Sequence, residues 1–175
     1  MTLTVEEGLG LAEADSFLSL EAADAYWSDR PHATLSGPWL AASETGREGA
    51  LREASAHLGL AYGERFSGVP TRGRGQALCW PRLGAIDRSG TPLGSGSIPR
   101  EVLAATCELA ARALSAPLMA DRDRAGRVSE EAVTLDAVST RTVYDLSFPS
   151  GPALPVVEGL LSPLFKRGGS RLLRG

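Results

Sequence analysis

The chain contains no asparagine, one lysine (Lys166), two histidines and two cysteines in 175 residues. Cys79 and Cys107 form neither a CxxC pair nor a Cys/His cluster, which excludes the usual ligand patterns of a zinc site. Both are expected to be small buried apolar groups rather than a disulfide. His32 and His57 stand apart from any serine or cysteine in a recognisable arrangement, so no nucleophile and base can be paired. No apolar run approaches the roughly 20 residues that span a bilayer. The opening MTLTVEEGLGLAEAD is acidic where a signal peptide would be basic. These absences predict a soluble protein without membrane contact, made in a cytoplasm and not exported by a Sec-type signal. Cations are also in deficit, with 18 Lys and Arg against 21 Asp and Glu, a formal charge of −3 and a pI near 5.5. Non-specific nucleic-acid binding rests on neutralising phosphates, so this balance excludes a uniformly basic DNA-coating protein and leaves room only for a local patch. The shortage of lysine and asparagine fits a GC-rich coding sequence and carries no functional information.

What is present is mostly helical. Ser19 caps a first predicted helix running to about Arg30, with Leu20, Ala23, Tyr26 and Trp27 on one face and Pro31 closing it. Residues 31–43 read as a loop pinned by Trp39. Thr45 and Glu48 match a T-x-x-E capping box for a second helix, whose apolar stripe is Leu51, Ala54, Leu58, Ala61 and Tyr62. Gly49 and Gly59 within it either allow close helix approach or cost a little stability. Pro99 fits the first position of a third, central helix with Val102, Leu103, Thr106, Leu109, Ala110, Ala113 and Leu114 on a wide face, ended by Pro117. Between about 126 and 147 the period shifts to two, with Val133, Leu135 and Ala137 alternating and Val143 in a second strand, which predicts a β-hairpin. A short helix from Val156 to Phe165 precedes the basic tail KRGGSRLLRG, residues 166–175. The expected fold is mainly α: a small helical bundle over 1–165 with an inserted irregular loop at 66–97, the hairpin, and an extended C-terminal tail. No internal period of 20 to 50 residues marks a repeat architecture.

Three segments carry candidate sites. In ADRDRAG, Asp121, Asp123 and Gly126 match the start of a calcium loop, but Ala125 and Ala132 stand where oxygen ligands are needed, so no metal is expected. Arg72-Gly73-Arg74-Gly75 could set two guanidiniums against a phosphate backbone or against acids of a neighbouring subunit, and it lacks the Lys-Ser/Thr of a P-loop. Trp80 with Arg82 offers a base-stacking platform with a nearby cation, or else a buried peg that fixes the loop to the domain. In the tail, Lys166, Arg167, Arg171 and Arg174 surround Leu172 and Leu173, and no acid follows Glu158. Such a peptide is either a free basic end or a segment that orders on a partner, with the leucines as anchors. No catalytic residue and no cofactor is expected.

Three stretches, ADSFLSLEAADAYW, QALCWPR with the following IDRSG, and IPREVLAATCELAARAL, resemble a family of small head-gene proteins of tailed phages and gene-transfer agents. These are the head-to-tail adaptors, or connectors, many of which carry the label DnaT-like single-stranded-DNA-binding protein. The resemblance implies a structural virion protein, not an enzyme. It would form a ring of its own copies, dodecameric, between the portal protein and the stopper or tail-terminator proteins, with packaged DNA passing through without specific binding. In that setting the tail residues Lys166, Arg167, Arg171, Leu172, Leu173 and Arg174 would meet the portal, and the isolated subunit would be monomeric or weakly associated. The label implies the alternative, a replication module contacting single-stranded DNA through Arg72, Arg74, Trp80 and Arg82.

Overall fold

The computed structural model describes residues 2–119, 130–135, 138–143 and 154–166. Two compact units divide the chain, one made of Met1–Met119 with Pro155–Gly175 and the other of Ala120–Leu154.

The larger unit is helical. Helix α1 (Leu20–Ser28) begins where the Ser19 hydroxyl accepts from the Ala22 amide, the capping expected from the sequence. It buries Ala23 and Trp27, and the chain turns away at Asp29. A six-residue helix α2 (Ser36–Ala41) stands within the segment read as a loop. Pro38 lies in its first turn, where a missing N–H costs nothing, and a helix this short leaves no periodic trace. Its Trp39 is buried, as the loop-pinning role required. The Trp39 indole donates to Asp24 at 2.8 Å and Arg47 donates to the same carboxylate at 2.6 Å, so Asp24 of α1 ties α2 to α3.

Helix α3 (Glu44–Tyr62) corrects the second expectation. Its cap is Ser43, whose hydroxyl accepts from the Gly46 amide, and Thr45 is an exposed residue inside the first turn rather than half of a capping box. The buried stripe is Ala50, Leu51, Ala54, Ser55, Leu58 and Tyr62; Ala61 is exposed. Neither Gly49 nor Gly59 marks a tight contact: a methyl at Gly49 would meet nothing within 4 Å, and one at Gly59 would touch Cys79 at an ordinary 3.8 Å. Helix α4 (Arg100–Ala113) follows Pro99, which serves as its cap residue rather than its first helical one. It packs most extensively on α3 and then on α5 (Pro155–Leu161), burying Val102, Ala105, Thr106, Cys107, Leu109, Ala110 and Ala111. The Thr106 hydroxyl donates to the Val102 carbonyl at 2.8 Å, so its burial leaves no orphan donor. Each fully buried leucine in this core, Leu51, Leu58, Leu109, Leu161 and Leu164, contributes about 2 kcal/mol of apolar transfer energy. A single 3-10 turn, Ser162–Leu164, carries α5 into Phe165.

The smaller unit contains an antiparallel hairpin of β3 (Glu130–Leu135) and β4 (Val138–Val143), paired from Glu130 with Val143 to Leu135 with Val138. The protein is therefore mainly helical with a small hairpin inside the expected span. Between them, α3 and α4 are joined by residues 63–99, whose only strands are β1 (Val69–Pro70) and β2 (Arg82–Leu83), paired antiparallel. No described helix is long and apolar enough to cross a membrane.

Candidate nucleic-acid interface

The α3 to α4 connection has little regular structure, and side chains hold it in place. Arg82 is its centre. Although charged, it is 5 % exposed, and its guanidinium donates to three main-chain carbonyls: Nε to Ser67 at 2.8 Å, Nη2 to Gly68 at 2.8 Å and Nη1 to Cys79 at 3.1 Å. These bonds satisfy acceptors that the missing sheet would otherwise leave unpaired. Burial pushes the pKa of Arg82 below its ordinary value, with the nearby Cys79 and Glu64 acting in the opposite direction. Trp80 is fully buried, its ring edge-on to that of Phe66 at 5.6 Å, and the Trp80–Pro81 peptide is cis. Gln76, the chain's sole glutamine, accepts from the Arg72 amide at 2.9 Å and donates to the carbonyls of Leu78 and Pro81.

At the far end of the loop, Asp87 closes a tight turn at Arg88-Ser89-Gly90. Its carboxylate accepts from the Ser89 and Thr91 amides and the Ser89 hydroxyl, while Ile86 pairs with Pro92. The hydroxyl bond and these amide bonds hold its pKa below the usual carboxylate range.

A second clamp comes from the N-terminal segment and had no signature in the sequence beyond an acid followed by glycines. Glu6 is 1 % exposed, and its carboxylate accepts from the amides of Gly8 at 2.9 Å, Gly10 at 2.8 Å and Leu11 at 2.6 Å. Three charge-assisted bonds explain how a carboxylate can be enclosed there without a cationic partner among the described residues. The turn it makes needs glycine: Gly8 has φ +104°, and a methyl on it would lie 2.2 Å from the Gly96 carbonyl oxygen. Leu11 accepts from the Ala77 amide at 2.9 Å, and Gly10 faces the aliphatic stem of Arg72, so this turn supports the Arg72 stretch from behind.

These clamps sort the expected DNA contacts. Arg72 and Arg74 are exposed, on and beside the 3-10 turn Gly73–Gly75, with no ion pair to another described residue. Trp80 and Arg82 do not join them. The peg reading of Trp80 holds, because no face of its ring is open for a base to stack on, and the Arg82 guanidinium is spent on carbonyls. Of the tail, only Lys166 is described: it is exposed, and its amide donates to the Arg65 carbonyl at 2.7 Å. Arg167, Arg171, Leu172, Leu173 and Arg174 lie outside the described residues, as do Asp121, Asp123 and Gly126.

A family model described as "Putative DnaT-like ssDNA binding protein" matches residues 1–175, the whole chain. The chain belongs to this DnaT-like family. No curated protein and no solved structure matches it significantly.

On this DnaT-like chain the loop also presents apolar groups to solvent. Val69 and Leu83, cross-strand partners in β1 and β2, are 60 % and 56 % exposed, and Ile86 is 43 % exposed. Its thiols are of another kind: burial raises both Cys79 and Cys107 to about 12, so neither is a thiolate near neutral pH.

Proposed function

We propose that the protein binds single-stranded DNA without sequence preference, through phosphate contacts made by Arg72 and Arg74. The observation that carries this reading is the family match over all 175 residues, together with two exposed guanidiniums that have no ion pair among the described residues, on a loop braced by Glu6, Gln76 and Arg82. Buried Trp80 supplies no stacking, so affinity rests on charge alone and is modest for a chain of net charge −3. Fluorescence polarisation of an oligothymidylate across a salt series tests it. Wild type should bind with a salt-dependent constant, and Arg72→Ala/Arg74→Ala should flatten the log–log slope by about 1.4, from roughly 0.7 per phosphate contact on a single strand. Unchanged binding by the double variant would place the contact elsewhere, and no binding at low salt would end the reading.

A second reading is favoured by the exposed apolar groups Val69, Leu83 and Ile86 on the same loop. Under it the chain is a head-to-tail adaptor in a virion, forming a ring beneath the portal with these residues against neighbouring copies and the tail reaching the portal. An acidic ring would let packaged DNA slide through rather than hold it. Particles lacking the protein at the capsid's exit vertex would exclude this alternative.

A further inference from the structure

Phosphate contacts at Arg72 and Arg74 do not choose between one strand and two. A duplex carries the denser charge, so two arginines acting alone would favour it. Choice of a single strand needs a contact with an unpaired base, and Trp80 is closed to one. The same loop offers another place. A pocket of about 260 Å³ lies where it meets the residues after α5, with Ile86 and Phe165 as its apolar walls, Gly68 and Gly84 beside them, and Asp87 and Lys166 as its charged groups. At about 30 Å³ for each water, that space equals roughly nine waters, close to the non-hydrogen atoms of one base. It falls below the roughly 300 Å³ at which pockets for larger ligands begin.

The walls are preformed. The Ser67 hydroxyl donates to the Ile86 carbonyl at 2.6 Å and accepts from the Ile86 amide at 3.0 Å, the Arg88 amide donates to the Pro163 carbonyl at 2.7 Å, and Phe165 forms an antiparallel bridge with Phe66. The Phe165 ring is fixed by the Phe66 ring at 5.6 Å and the Arg65 guanidinium at 4.0 Å, yet the residue is only half-buried. Ile86 is 43 % exposed. Asp87 holds its turn through one carboxylate oxygen, Oδ1, which accepts from the Ser89 amide, the Ser89 hydroxyl and the Thr91 amide. Every base carries an N–H on its pairing edge, which a carboxylate oxygen accepts, and a flat face that an apolar wall covers. In a duplex both are already engaged. Gly68 is four residues from Arg72, at most about 14 Å along the chain, near enough for one strand to meet both places.

We propose that an unpaired base of the bound strand seats in this pocket against Ile86 and Phe165 and donates to Asp87, while Lys166 meets the phosphate next to it. The contact presupposes the DNA binding proposed at Arg72 and Arg74 and adds a base to the charge on which affinity there rests. It makes the protein selective for single strands without selecting a sequence.

Fluorescence polarisation at low salt tests it, with wild-type protein titrated against a mixed-sequence oligonucleotide, its duplex, and a strand of the same length whose nucleotides are abasic. The intact single strand should bind about tenfold tighter than the abasic one, and tighter than the duplex. Asp87→Asn keeps an acceptor for the turn and Ile86→Ser alters an exposed side chain, and each should bring the intact strand close to the abasic one. Charge alone gives the opposite sign for Asp87→Asn, since loss of an acid would tighten every DNA. Equal binding of intact and abasic strands by wild type, or of single strand and duplex, would overturn the base pocket while leaving the phosphate contacts standing. Base dependence that survives both substitutions would overturn it by placing the base elsewhere. Binding of none of the three DNAs would end both readings. Should a variant fail to fold, the wild-type Ile86 methyl signals must shift with the intact strand and not with the abasic one, and no such difference refutes the site.

Discussion

Arg82 separates the structural and the DNA-contacting accounts of the loop, because the two give opposite results for Arg82→Ala. If the guanidinium met phosphate, its removal would weaken DNA binding and leave stability almost unchanged. In the structure it is 5 % exposed and bonded to the carbonyls of Ser67, Gly68 and Cys79, so removal strips one buried and two half-buried acceptors at once. A net contribution of about 1 to 1.5 kcal/mol for each such bond gives a loss of about 3 to 4.5 kcal/mol, a large share of the roughly 5 to 15 kcal/mol that holds a domain of this size. With a urea m-value near 1.75 kcal/mol/M, the unfolding midpoint should fall by about 2 M. Arg82→Lys should recover only a minor part, since one ammonium on a flexible stem cannot bridge carbonyls set around a planar fork. Urea titration followed by far-ultraviolet circular dichroism is the assay. A midpoint within about 0.3 M of wild type would refute the argument that this residue organises the loop.

Two further outcomes are expected. Glu158 bonds Arg65 through both oxygens at 2.8 Å, which is the main reason its pKa is lowered; the stabilisation is present above its unfolded pKa and lost as pH falls through the folded value. Because both side chains are more than a third exposed, Glu158→Gln should cost only about 0.5 kcal/mol at pH 7, a difference that urea midpoints should show vanishing in acid and shrinking in high salt. Cys107 is buried and Cys79 half-buried, so a thiol reagent at pH 8 should label Cys107 only in denaturant and Cys79 slowly without it; rapid stoichiometric labelling of Cys107 in the native protein would contradict its burial.

The helices were legible where a side chain both set a period and marked an end. Ser19 and the apolar face after it specify α1, and the alanine-rich face after Pro99 specifies α4. Helix α2 was not legible, since six residues containing Gly37 and Pro38 carry turn chemistry and no full period. Ser43 and Thr45 compete for one cap, and sequence favours Thr45 for the glutamate three residues on, whereas the chain selects Ser43 from the direction of its approach. At the candidate site, exposure was the missing quantity. Arg72, Arg74 and Arg82 are the same residue type within one loop, yet only the tertiary placement of Ser67, Gly68 and Cys79 turns Arg82 inward. Glu6 was overlooked for the same reason, because an acid in an acidic stretch reads as solvated until the glycines after it curl their amides around it.

That curl has a consequence for how the family can diverge. Gly8 lies against the Gly96 carbonyl and Leu11 is hydrogen-bonded to Ala77, so two stretches distant in sequence share one interlocking joint. Lengthening or reshaping the residues after Arg72 without a matching change in the first dozen should jam or open it. Relatives that keep the glutamate with its two glycines should therefore keep the spacing of the later stretch, and those that have lost one should have rebuilt the other.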